Sequence, residues 1–187
     1  MSKNSTKISF YISLILLFVF SVKGQNLVVN PSFETFTGSC GMAGYGSLNT
    51  WGNPDPTDSC STPDWFATCG SLPFNQAPNG SFGHQVPHSG NAYAGFILKD
   101  NSTSNYREYV EEKLSSPLVA GQNYCVSFYI SLPDKSYLYC NNFGMYLSNS
   151  MAQFPGNNCN STAPLPFTPQ LNYTCTITDN VNWTRLQ

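Results

Sequence analysis

Residues 124–132 (YCVSFYISL) alternate without a break. Tyr124, Val126, Phe128, Ile130 and Leu132 fall on one side of an extended chain, and Cys125, Ser127, Tyr129 and Ser131 fall on the other. Side chains along a strand alternate every two residues, so the pattern predicts a β-strand with one face on a core and one toward water. Shorter segments of similar character are expected at 91–98, after the turn Ser89-Gly90, and at 142–148, 173–178 and 182–187. Residues 26–34 (NLVVNPSFE) open with a β-branched run and turn at Asn30-Pro31. Residues 105–114 fit both a helical stripe (Tyr106, Val110, Leu114) and a two-residue alternation. Their Tyr and Val content, and strands on either side, favour the pleated surface. Pro155, Pro164, Pro166 and Pro169 mark 149–171 as loop. Six or seven short strands with turn signals predict an all-β antiparallel sandwich.

Composition agrees with that class. Only 10% of the 187 residues are charged, against roughly 25% in ordinary soluble domains. Asn, Ser, Thr, Gly, Pro and aromatics take the vacant share, the residues of strands and turns rather than of surface helices. With 41% hydrophobic and 14% aromatic residues the chain can build a core, as a single domain. A net charge of −2 gives no basic footprint, which argues against a dedicated nucleic-acid binder.

Lys3 and Lys7 precede an apolar run from Ile8 to Phe20, and Val22 and Gly24 stand at −3 and −1 of a cut before Gln25. This is the layout of a secretory signal peptide, residues 1–24, leaving 25–187 as one module. The run is short for a membrane span, which needs about 20 residues, and none follows it. Removing Lys3, Lys7 and Lys23 moves the formal charge from −2 to −5. The seven cysteines, all after residue 24, then read as an oxidised framework. No pair has CxxC spacing, which disfavours a zinc ribbon or a thioredoxin-type site. Local grouping suggests Cys40–Cys69, Cys125–Cys140 and Cys159–Cys175, with Cys60 left over or paired beyond residue 187. Residues 37–80, with seven Gly, five Pro and three Cys, are too long for an unstapled loop, and the cysteines supply the staple.

Several motifs stand in one order: NLVVNPSFE, Trp51, TPDWFATC, GHQVPHSGNAYAGF and YREYVEEKLSSPLVAGQNYCVSFYISLPDKS. Over residues 26–148, and again at Trp183, the chain resembles the carbohydrate-binding-module-like, galactose-binding-domain-like jelly rolls. These form the N-terminal module of surface proteins of gliding Gram-negative bacteria, often fused to OmpA-like or sorting domains. The resemblance implies a jelly-roll sandwich and a place outside the cell, either secreted or on the outer-membrane surface as part of a larger protein. It also implies final strands after the Trp183 position, so the chain looks truncated at its C-terminus. In the resembled proteins an acidic residue at the position of Glu34 helps hold a structural calcium, with Asn91 or Asp100 as a further oxygen donor here.

Catalytic signals are thin. There is no GxSxG elbow, no Cys/His nucleophile signature and no phosphate-binding glycine loop. His84 and His88 are spaced like a zinc pair, but Pro87 and Ser89-Gly90 forbid the helical turn such a pair needs, so packing beside Tyr93 is expected. Glu108 and Glu112 share a strand face, as a glycosidase pair would, yet with Glu111, Arg107 and Lys113 they read as a solvated charged face. Arg107 is expected to hold a carboxylate or a backbone carbonyl. No enzymatic activity is therefore expected. The loop aromatics Trp51, Trp65, Phe66, Tyr137 and Tyr139 are the candidate ligand contacts, because sugar rings stack on flat aromatic faces. Two functions remain open: a secreted, non-catalytic module that binds carbohydrate or another cell-surface ligand, and a structural or adhesive spacer with no small-ligand site. A solvent-facing aromatic platform favours the first; burial of Trp51, Trp65 and Tyr137 favours the second.

Overall fold

A computed structural model describes residues 24–42, 45–52, 63–99, 106–139, 141–153 and 165–187. The expected signal peptide, Cys60, Asp100, Cys140 and Cys159 lie outside the described residues. Among the described residues the chain is all-β. Among those residues two single 3-10 turns, Cys40–Met42 and Tyr45–Ser47, are the only helical pieces, and no helix is long and apolar enough to cross a membrane.

Ten short strands pair two by two, every pair antiparallel. In chain order they are β1 (Trp51–Gly52), β2 (Asp64–Ala67), β3 (Asn79–Gly80), β4 (Gly83–His84), β5 (Ala92–Gly95), β6 (Glu111–Glu112), β7 (Phe128–Ile130), β8 (Phe143–Met145), β9 (Leu171–Tyr173) and β10 (Thr184–Leu186). β1 pairs with β6, β2 with β5, β3 with β4, β7 with β10 and β8 with β9. The longest ladder joins β2 to β5, with Trp65 opposite Ala94 and Phe66 opposite Tyr93.

The β2–β5 ladder has a core face and an aromatic face. Trp65 and Ala67 point to a cluster with Tyr45, Leu48 and Ala92, flanked by Phe33, Phe36, Trp51 and Val110. Trp65 is 1% exposed, its indole N–H donates to Phe33 O at 3.0 Å, and its ring meets Phe36 at 4.8 Å. On the opposite face Phe66 stacks on Tyr93 at 5.0 Å. Side atoms built on Gly80 or Gly95 would come within 2.9 Å of the Phe66 ring, so both glycines are there to let backbone close over it. The Cys40–Cys69 bridge, Cα atoms 5.7 Å apart, ties the first 3-10 turn to the end of β2, as the local grouping of cysteines suggests.

The alternation over residues 124–132 holds in part. Val126, Phe128 and Ile130 are half-buried while Cys125, Ser127 and Tyr129 are exposed, but Tyr124 stands in solvent and only Phe128–Ile130 form ladder bonds. Other strands are likewise shorter than expected, and the one placed at 173–178 begins at Leu171 and ends at Tyr173. The opening run 26–29 joins no strand, because the chain turns at once through Phe33 N to Asn30 O at 3.2 Å. β2 sits inside a segment that reads as loop: three consecutive buried residues hide the alternation of a half-exposed strand.

Replacing Trp65 with Ala is expected to lower unfolding free energy by about 3–5 kcal/mol, as the cavity and the lost indole bond act together. Urea unfolding followed by tyrosine fluorescence and circular dichroism checks this; a loss under 1 kcal/mol would remove Trp65 from the centre of the core.

Candidate functional site

The five aromatics singled out in the sequence separate into two groups. Trp65 and Phe66 are 1% and 2% exposed, so neither can touch a ligand without unfolding β2. Trp51 is half-buried, donates its indole N–H to Asn30 O at 2.7 Å and lies 4.9 Å from the Phe33 ring. Trp65 and Phe66 are corrected to structural roles, and Trp51 packs against the cluster that holds Trp65, with part of its surface in solvent. They sit on strands of a stapled region, where a large flat side chain is most valuable to a core. Tyr137 and Tyr139 remain, 98% and 66% exposed.

Their loop has a firm base. Pro133 to Ser136 form a turn closed by Ser136 N donating to Pro133 O at 2.9 Å. Asp134 Oδ2 accepts from His84 N at 2.8 Å, and Lys135 donates through its backbone N to Phe82 O at 3.2 Å and through Nζ to Ser81 O at 2.9 Å. The turn is thus clamped on the β3–β4 hairpin from both sides of its tip. Gly83, at φ 132°, permits the approach, since a side atom there would lie 2.6 Å from Asp134 Cβ. Ser136 Oγ then donates to Leu138 O at 2.6 Å, within the stretch that carries both tyrosines.

Beside this turn is an open depression of about 230 Å³, lined by His84, Val86, Asp134, Asn180 and Val181. Its far wall is held by Asp179, whose Oδ1 accepts from Val181 N at 2.9 Å and Asn182 N at 2.7 Å. Those N–H donors hold the Asp179 carboxyl below the usual range. Trp183 Nε1 donates to Val86 O at 2.8 Å and fastens that wall to the near one. His88 stacks on Tyr129 at 3.6 Å, and Trp183 sets its edge toward His88 and Tyr93 at 6.2 and 5.7 Å. His88 therefore packs through Trp183 toward Tyr93, and His84 Nδ1 lies 2.8 Å from Asn79 Oδ1. A second depression, about 270 Å³, is lined by Tyr124, Cys125, Val126, Leu171, Tyr173 and Gln187.

Glu34 and Asn91 do come together, but through donors. Glu34 Oε1 accepts from Asn91 N at 2.7 Å and Ala92 N at 2.9 Å, and Asn91 Nδ2 lies 3.5 Å from Oε2. Gly90, at φ 65°, brings the turn so close that a side atom would fall 2.4 Å from Oε1. Backbone N–H groups take Oε1, and a calcium ion needs six or more oxygens. Among the described residues no group of three or more His, Cys, Asp or Glu side chains gathers to hold a metal, so Glu34 and Asn91 do not by themselves make a calcium site. Asp100 lies outside the described residues.

The charged face expected at 108–112 is partly interior. Glu108 is buried, accepting from Ile97 N at 2.7 Å and Tyr106 Oη at 2.9 Å. Glu112 Oε1 accepts from Asn30 N, and Glu111 Oε2 from Ala152 N, both at 3.0 Å. Burial raises the Glu111 carboxyl and, reinforced by Glu112 and Glu111, the Tyr45 phenol. Arg107 Nη1 donates to Leu98 O at 3.2 Å, so a backbone carbonyl is one of its partners. Asp64 is pushed up to about 6, first by burial and second by the charge of Glu108. Neither depression is lined by these groups. Among the described residues Cys125 and Cys175 are free and exposed; the partners expected for them, Cys140 and Cys159, lie outside those residues.

Sequence reasoning passed over Asp134, Asn180, Val181 and the His88–Tyr129–Trp183 stack. Their contacts join positions about fifty to a hundred residues apart, and the only local signals were the turn residues around Pro133 and Asp179.

Glu34→Gln keeps the shape but removes the charge assistance to two N–H donors, and is expected to cost about 1–2 kcal/mol. Thermal melts in calcium and in EDTA are expected to agree; a midpoint rising with calcium would return Glu34 to an ion. Asp64→Asn tests burial. The raised native pKa stabilises the fold below the ordinary value of 3.8, and that contribution is lost as pH rises through about 6. The Asn variant is therefore expected to gain about 1 kcal/mol on the wild type between pH 4 and 7, far less than full conversion because water reaches this half-buried group. Denaturant midpoints at both pH values check it. No family model matches this chain, and neither a curated protein nor a solved structure matches it.

Proposed function

We propose that the chain is an exported, non-catalytic β-sandwich module of the jelly-roll kind that binds carbohydrate or another cell-surface ligand through Tyr137 and Tyr139. One observation carries this reading: Tyr137 stands 98% exposed on a turn whose base is pinned to the β3–β4 hairpin by Asp134 and Lys135. An aromatic ring in water has a flat apolar face and, in tyrosine, a hydroxyl at its rim, which suits the C–H face and the hydroxyls of a sugar. Tyrosine loses little conformational freedom on contact, and an anchored base lowers the ordering cost further. Export is supported by the leader-like N-terminus and the Cys40–Cys69 bridge, since disulfides persist in oxidising compartments. The non-catalytic reading is supported by the carboxylates of Glu34, Glu108, Glu111 and Glu112, which accept from backbone N–H groups.

A second reading, a structural or adhesive spacer, draws support from the internal positions of Trp51, Trp65 and Phe66. A glycan array probed with the exported chain separates the two. Retention of one glycan class, weakened at least tenfold by Tyr137→Ala with Tyr139→Ala at an unchanged melting midpoint, is the expected result. A blank array, or binding indifferent to both substitutions, would leave the spacer.

A further inference from the structure

We infer that the depression formed by His84, Val86, Asp134, Asn180 and Val181 is a second subsite of the same surface, taking one neutral sugar ring whose neighbouring unit lies on Tyr137 and Tyr139. This rests on the reading of the tyrosine loop as a glycan contact and adds the place and chemistry of the adjoining unit.

Three stretches of chain, 84–86, 134 and 180–181, converge on the depression, and each is fixed by bonds outside it. His84 N holds Asp134, the Asp179 carboxylate holds the backbone of Val181 and Asn182, and Trp183 holds Val86. Its walls therefore form without a ligand, which lowers the cost of binding one.

The polar groups that face it match hydroxyls. Among the described residues the Asn180 amide has no hydrogen-bond partner, so it offers both a donor and an acceptor. His84 Nδ1 is engaged with Asn79 Oδ1; in the tautomer that donates this bond, Nε2 carries a lone pair. Asp134 uses Oδ2 on His84 N and is an acceptor throughout. A set rich in acceptors, with a carboxylate and no cation lining it, rejects phosphate and carboxylate ligands and suits O–H donors. Lys135, the nearest cation in sequence, turns its Nζ to Ser81 O.

Size and apolar surface agree. About 230 Å³ lies below the roughly 300–1,000 Å³ of pockets for drug-sized molecules, so one ring is the natural occupant. Val86 and Val181 are both exposed and supply methyl groups for a C–H face. Tyr137 follows Asp134 by three residues, at most about 11 Å of extended backbone. That bound on the backbone separation is within the reach of a linked pair of rings.

The test uses the full exported chain with labelled valine methyls and labelled tyrosine rings, titrated by nuclear magnetic resonance with millimolar methyl glycosides of glucose, galactose, mannose and N-acetylglucosamine. At least one glycoside is expected to shift the Val86 and Val181 methyls. Asn180→Ala is expected to weaken it about 3- to 10-fold with an unchanged melting midpoint, and Asp134→Asn, which keeps an acceptor for His84 N, by less. Inorganic phosphate is expected to shift neither methyl. If no glycoside moves these methyls, or phosphate does, the subsite is refuted. Shifts confined to Tyr137 and Tyr139 would refute the subsite and spare the tyrosine loop. A disaccharide of the best glycoside that shifts the valine methyls and binds the double variant Tyr137→Ala, Tyr139→Ala as tightly as the wild type would uphold the subsite and remove the tyrosines.

Discussion

The turn that contains Asn30 and Glu34 is the constraint on which the first half of the structure depends. Asn30 is buried, and every polar group it owns is spoken for. Its N–H donates to Glu112, its side-chain amide closes on Thr35 in both directions, and its carbonyl accepts from Trp51 and from Phe33 N. Four residues on, Glu34 grips the turn before β5, and Phe33 between them accepts the Trp65 indole N–H. A buried amide left with one partner missing costs about 1–3 kcal/mol, so this network specifies one arrangement of β1, β2, β5 and β6. Apolar packing alone tolerates many arrangements.

The second half is held by rings. Phe128 on β7 meets Phe143 on β8 at 4.9 Å and Tyr173 on β9 at 5.7 Å, and Phe96 reaches Phe143 at 6.0 Å from beyond β5. A separate column runs from Phe66 through Tyr93 and Trp183 to His88 and Tyr129, from the interior out to the exposed ring of Tyr129. With 14% aromatic residues the chain divides its rings among core, column and surface, and only their neighbours distinguish the three.

That division explains what was legible beforehand. The all-β class followed from alternation and turn residues, because a two-residue repeat is local. The Cys40–Cys69 bridge followed from the need to staple the long segment after residue 37. The fate of each aromatic did not follow. Trp65 and Phe66 lie in a segment bounded by cysteines and prolines that reads as loop, and no local pattern says that Ala94 and Tyr93 stand opposite them. Glu34 was legible as a special acid but not as an acceptor of N–H groups, since its partners are fifty-seven residues away. Tyr137 and Tyr139 were correctly placed in a loop, whereas the anchors that fix its base come from the hairpin at 79–84.

The pairing of β7 with β10 has a kinetic consequence. Phe128–Ile130 have no ladder partner until Thr184–Leu186 are made, and the Trp183 bond to Val86 spans ninety-seven residues. Contacts so distant along the chain form late, because loop closure precedes any gain from them. During synthesis this half therefore stays incompletely assembled until residues 184–186 have been made, and its strand edges at Phe128–Ile130 stand open for that whole interval.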